Sequence, residues 1–251
     1  MKLFQRIFFA AVLAGLAAGL VMSALQQWKV APLILAAEVY ENAEPAPAHE
    51  HAAASTDATT APVAAEAHEH DEDAWAPQDG IERTAYTVLA DVLGCLGFAL
   101  VLVAASVIFK IEITVANGVV WGLCGWIVFH LAPAFGLPPE LPGMPAADLA
   151  ARQTWWWGTA IATAAAFLLV AKWRNSAAIA IAAALILIPH IIGAPPQPEE
   201  ASAVPAHLAT SFAASALTVS AVFWLLVGPL IGFFNELLSR AEAPAARSVP
   251  A

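Results

Sequence analysis

Two His-x-His units, His49-Glu50-His51 and His68-Glu69-His70, lie in one acidic stretch that runs on into Asp71-Glu72-Asp73. Imidazole is a good ligand for borderline divalent ions such as Co, Ni, Zn and Cu. Two such units on a flexible segment can collect ions, although ordering the segment weakens each site. The same residues also read as a solvated acidic spacer. Three further histidines stand at the ends of apolar runs. His130 precedes Leu131-Ala132-Pro133, His190 follows Pro189, and His207 comes just after Pro205. Proline breaks or starts a helix and leaves backbone carbonyls free to line a cavity or bind a cation. Three imidazoles at one membrane depth can converge on an ion. Taken singly, each reads as an interfacial residue satisfied by water or headgroups.

Carboxylates complete the set of candidate metal residues: Glu38 and Glu41 ahead of the acidic stretch, and Asp91 inside an apolar run. A carboxylate within an apolar span is costly and points to function; the other reading is a pairing with a neighbouring helix, through Arg83 or Arg152. Asp91 and Cys95 are four apart and share a helical face. His207, Thr210, Ser211, Ser215 and Thr218 form a polar stripe at helical spacing, which suits either a hydrated path or contacts between helices. Cys124, aligned with Asn117 and Trp121, reads as packing, because soft-metal sites gather several thiolates.

The elements that must position these residues follow from hydropathy. The chain is 60% hydrophobic and only 12% charged, with a mean hydropathy of +0.71. Its 251 residues could not keep that surface in water as a soluble domain. Apolar runs occur near 7–25, 86–109, 115–136, 155–171, 176–193 and 207–234. Each is close to the ~20 residues that a helix needs to cross hydrocarbon. Lys172-Trp173-Arg174-Asn175 divides the fourth from the fifth, because charges at the centre of one long span would be costly. The expectation is an all-α polytopic membrane protein with about six transmembrane helices, five being the alternative. Residues 1–25 form the first helix and residues 26–85 an acidic, His-containing periplasmic loop, disordered over most of its length. Residues 86–235 form a five-helix bundle, and residues 236–251 a cytoplasmic tail. The first apolar run exceeds the ~7–15 residues of a signal-peptide core, so it reads as a retained span.

Charge sets the orientation. With the N-terminus inside, seven of the ten basic residues fall on the inner side, as the positive-inside rule requires. Both termini are then cytoplasmic. All seven histidines and sixteen of the twenty acids fall outside. Trp155-Trp156-Trp157 falls at the outer boundary, where an aromatic belt belongs. Gly15 and Gly19, Gly118, Gly122 and Gly125, and Gly228-Pro229 with Gly232 mark close helix contacts or kinks. No glycine-rich phosphate loop, no HExxH zinc motif and no nucleophile–base pair is present, which argues against a nucleotide site and against an enzyme. The few scattered basic residues argue against nucleic acid.

Several segments together resemble a known family: Gly15-Leu16-Ala17-Ala18-Gly19, Pro32-Leu33-Ile34 through Glu38-Val39-Tyr40-Glu41, Gly136-Leu137-Pro138-Pro139-Glu140-Leu141-Pro142-Gly143, Arg152-Gln153-Thr154-Trp155-Trp156 and Pro189-His190-Ile191-Ile192-Gly193-Ala194-Pro195. In this order they resemble the bacterial cobalt transporter subunit CbtA family over nearly the whole chain. The resemblance implies cobalt supply for cobalamin synthesis in the bacterial inner membrane, and five spans where the charge pattern favours six. It also implies a small single-span, His-rich partner of the CbtB kind. It carries over no ligand positions. The functional expectation is therefore a divalent-metal uptake subunit with Co2+ as cargo and no permanently bound cofactor. It would capture the ion on the outer face through His and carboxylates and pass it through the helix bundle. The alternative is a non-transporting metal receptor or delivery scaffold for another permease.

Overall fold

The computed structural model describes residues 2–41, 75, 77–198 and 202–242, and its regular structure is helical throughout these residues. The long loop histidines His49, His51, His68 and His70 lie outside the described residues, as does the side chain of Glu41. Helix α1 runs Lys2–Lys29 and α2 runs Ala31–Glu41. Proline at the second position of α2 suits a new helix start, since the first turn needs no N–H there. Helix α3 is Ile81–Phe109, and Lys110 ends it in the left-handed conformation at φ 57°. Helix α4 is Val115–Trp126, capped by Thr114, whose hydroxyl accepts the Asn117 N–H while the Asn117 side chain accepts the Thr114 N–H. The chain continues as a π-helix, Ile127–Leu131, and a short α5, Ala132–Ala134. Helix α6 is Leu149–Lys172, α7 is Ser176–Ile192 and α8 is Ala206–Glu242.

Five segments are long and apolar enough to cross a bilayer: Leu3–Lys29, Ile81–Phe109, Val115–Ala134, Leu149–Lys172 and Ala206–Ala241. Helix α7, with 17 residues, falls just short of that class. It still runs end to end against α6. The two are joined by a tight turn in which the Asn175 side chain caps α7 by accepting the Ala178 N–H, and at their far ends the Trp155 indole donates to the Pro189 carbonyl. The expected hairpin at Lys172-Trp173-Arg174-Asn175 is thus present. Helix α7 thereby returns the chain to the end of the bundle at which α8 begins.

Helices α1, α3, α4 and α8 form the central bundle, with α1 antiparallel to α3 and α4 antiparallel to α8. Glycines set the closeness of the second pair. A Cβ on Gly122 would lie 1.9 Å from the Trp224 carbonyl oxygen, and one on Gly118 2.5 Å from the Pro229 nitrogen. Without a hydrophobic drive between spans, such backbone approach supplies the packing that holds them together. Trp224, Phe223 and Val227 fill the centre and are fully buried. Arg6 donates to the Asn235 side chain at 3.0 Å, which ties the start of α1 to the end of α8 at one end of the bundle.

Several boundaries differ from the hydropathy reading: α1 runs on to Lys29, inside the segment expected to be loop, and α6 begins at Leu149, six residues ahead of its apolar run. Helix α3 begins at Ile81, ahead of the apolar run, and α8 extends to Glu242. Backbone hydrogen bonding continues through polar residues that hydropathy does not count. Within the segment expected to be a loop, α2 is also helical. It seats Leu33, Ile34 and Ala37 against Leu141, Val204 and Leu208 at the opposite end of the bundle from Arg6.

Candidate functional site

The α1–α3 interface gathers the polar groups. On α3 the residues Arg83, Thr87, Asp91 and Cys95 recur every four positions and so share one stripe. Facing them on α1 are Gln26, Ser23, Met22 and Gly19. Asp91 stands about 15 Å along α3 from Ile81, at 1.5 Å per residue. Its carboxylate accepts the Ser23 hydroxyl at 3.0 Å and the Gln26 amide at 3.3 Å. No ion pair to Asp91 is formed among the described residues. The anticipated Arg83 and Arg152 are engaged elsewhere. Arg83 grips Glu38 through both guanidinium nitrogens, one of them at 3.1 Å, and also reaches Asp79 at 3.2 Å. Arg152 donates to Glu140 at 2.9 Å, and Glu140 also accepts the Gln197 amide at 2.7 Å.

Above Asp91 a cavity of about 350 Å³ is lined by Gln26, Glu38, Asp79, Arg83, Thr84 and Thr87 among others. Gln26 belongs both to this cavity and to the shell of Asp91. The cavity and the Glu38–Arg83 pair, where α2 meets α3, therefore stand directly above the Asp91 carboxylate of the α1–α3 interface. Below Asp91, the Cys95 thiol lies 3.4 Å from the Met22 sulfur.

The three helix-end histidines occupy separate surroundings. His130 sits in the π-helix, half-buried, and its Nδ1 accepts the Trp224 indole N–H at 3.1 Å. Indole is a donor only, so Nδ1 offers its lone pair there and the ring proton is left on Nε2. With that bond formed the Nδ1 lone pair is occupied, and His130 lines a cavity of about 380 Å³ with Glu140, Arg152 and Trp156. His190 is half-buried between the rings of Trp155 and Phe135. His207 is exposed at the start of α8. Among the described residues, no three His, Cys, Asp or Glu side chains come together as a group able to hold a metal ion. The three histidines are thus not gathered on one ion with each other or with Glu38 and Asp91.

The α8 stripe also falls away from an interior path. Thr210, Ser211 and Thr218 are exposed, and Thr210 and Thr218 donate their hydroxyls to carbonyls of their own helix. Cys124 lines an apolar cavity of about 200 Å³ with Trp121, Phe129 and Phe167, in keeping with a packing role. Ser23, Gln26 and Met22 escaped the sequence reading. The signal available was the spacing Gly15, Gly19, Ser23, which continues the close-contact face of α1 one turn at a time.

The fold and the polar interface define a multi-pass helical membrane protein with a half-buried carboxylate held between two of its helices. A family model described as Probable cobalt transporter subunit (CbtA) matches residues 4–236, nearly the whole chain. The chain belongs to this family. No curated protein and no solved structure matches it.

Proposed function

We propose that this subunit captures Co2+ on the outer face of the bacterial inner membrane and conducts it inward through the α1–α3 interface. The observation that carries this reading is Asp91, a half-buried carboxylate between two helices, held by two neutral donors and by no cation among the described residues. A carboxylate in that position is expensive unless it meets a cation or a proton. Glu38 stands above it, held by Arg83, a tethered cation with which an arriving divalent ion competes. The loop histidines His49, His51, His68 and His70, with Glu41, His190 and His207, serve as collectors on the outer face. His130 lines the neighbouring cavity.

The orientation is supported by charge. Arg6, Lys110, Lys172, Arg174 and Arg240 fall toward the end marked by the Arg6–Asn235 bond, which is therefore taken as cytoplasmic, with both termini inside. An inside-negative potential then favours a divalent cation by about 4–5 kcal/mol per 100 mV. The chain acts as a non-enzymatic transport subunit beside a small single-span, His-rich partner.

The test is uptake of labelled Co2+ into transporter-deficient cells expressing this chain, with and without that partner. Asp91→Asn and Glu38→Gln abolish uptake on this reading, while removal of residues 42–74 only weakens it at low Co2+. Binding of Co2+ without accumulation under any condition would instead assign the role of metal receptor or delivery scaffold for another permease.

A further inference from the structure

Immediately below Asp91 lie two sulfur atoms that the reading above does not use. The Cys95 Sγ is 3.4 Å from the Met22 Sδ, across the α1–α3 interface, and Cys95 is only 3% exposed. Two sulfurs bound to one tetrahedral ion at ~2.3 Å each would lie about 3.8 Å apart, so the observed pair is already close to the separation that shared coordination needs. Side chains on a helix lean toward its N-terminus, which aims Cys95 back toward Asp91 one turn above. Asp91 in turn is fixed by Ser23 and Gln26. Gly19 faces Cys95, and a Cβ there would come within 3.0 Å of the Cys95 Cβ. The absence of a side chain at that position is what lets α1 approach this closely.

We propose that Cys95, Met22 and Asp91 form a mixed sulfur–oxygen site for a borderline divalent cation, with the Ser23 hydroxyl and the Gln26 amide holding the carboxylate in place. The site deepens the transport reading and rests on it for the direction of flow, but binding stands apart from that reading. Ion binding replaces the Cys95 thiol proton, which is released to solvent. The chemistry has a purpose. Mg2+ and Ca2+ demand oxygen ligands, and Mg2+ also holds its water firmly, whereas a thiolate suits softer and borderline ions such as Zn2+ and Co2+. Carboxylates alone at Glu38 and Asp91 would not make that distinction. The sulfur pair places a filter against the abundant hard ions one turn below the first deep carboxylate.

The experiment is a Co2+ titration of the purified full-length chain in detergent, followed by near-ultraviolet absorption, where sulfur-to-cobalt charge transfer appears. The wild type is expected to develop this band, and a large excess of Mg2+ is expected to leave it in place. Cys95→Ser removes the band, Asp91→Asn and Met22→Leu each weaken Co2+ binding tenfold or more, and Cys124→Ser behaves as wild type. Thermal melting of each variant confirms that it is folded. A folded wild type with no band, a band lost with Cys124→Ser and kept with Cys95→Ser, or Co2+ displaced readily by Mg2+ would overturn the site. Uptake measured in parallel separates the two readings. Uptake without the band sinks the sulfur site alone, and the band without uptake keeps the site while removing the permease.

Discussion

Asp91 holds its place through neutral donors, so its charge and its fold contribution can be separated. Asn in its place keeps one acceptor oxygen and a similar shape. Asp91→Asn is therefore expected to lower Co2+ uptake at least tenfold while changing stability by no more than about 1 kcal/mol, read as the melting of purified protein in detergent. Arg152 behaves oppositely. Its partner Glu140 has a side chain only 10% exposed, so Arg152→Ala leaves a nearly buried carboxylate with Gln197 alone. That substitution should cost about 1–3 kcal/mol in the same melt, and Glu140→Gln, which removes the charge as well, should cost less. The depth of Asp91 was legible from its position in an apolar run. Its partners were not. Arg83 looked available, yet it is taken by Glu38, and the actual donors come from a helix more than sixty residues earlier in the chain. One-dimensional spacing assigns a residue to a face, but which other face meets it is a tertiary fact. The histidines make the same point, since their shared position at helix ends says nothing of the Trp224, Trp155 and Phe135 rings that hold two of them apart.

At the scale of the element, the glycines divide into those a neighbour has claimed and those it has not. Gly122→Ala would drive a methyl into the Trp224 carbonyl and force α4 from α8, whereas Gly94 has nothing within 4 Å of where its Cβ would be. The first substitution is expected to lower the melting temperature sharply. The second is expected to be neutral or to stabilise by up to ~1 kcal/mol through helix propensity. Limited proteolysis of the two variants gives an independent reading. The spans themselves were visible in the sequence, because hydropathy over ~20 residues is the strongest signal a chain can carry. The π-helix was not. Pro133 hinted at it, since a residue with no N–H disturbs the bonding of the preceding turn, but the contacts of His130 and Phe129 with Trp224 that accompany this register come from a distant helix. Helix α2 was missed because a short run with proline near its start carries little periodicity, and its burial depends on partners from distant loops.

For the molecule as a whole, the number of passes turns on α7: five helices are long and apolar enough to cross, and a crossing α7 would make the six that the charge pattern favours. A cysteine introduced at Arg174 should react with a membrane-impermeant maleimide only from the cytoplasmic side, and one at Gln197 only from outside. Reaction of both from one side would reduce the passes to five and leave α7 as a surface helix. The same element has a consequence for how the protein is made. Helix α7 packs on α6, and the pair reaches the rest of the bundle mainly through the π-helix and α5. Its 17 residues are joined to α6 by a turn bearing Arg174 just after Lys172. Neither helix has a second large surface to settle against as it emerges from the ribosome. On the proposed orientation, residues 149–192 are therefore expected to leave the translocon as a single hairpin, with the basic turn held back on the side of synthesis.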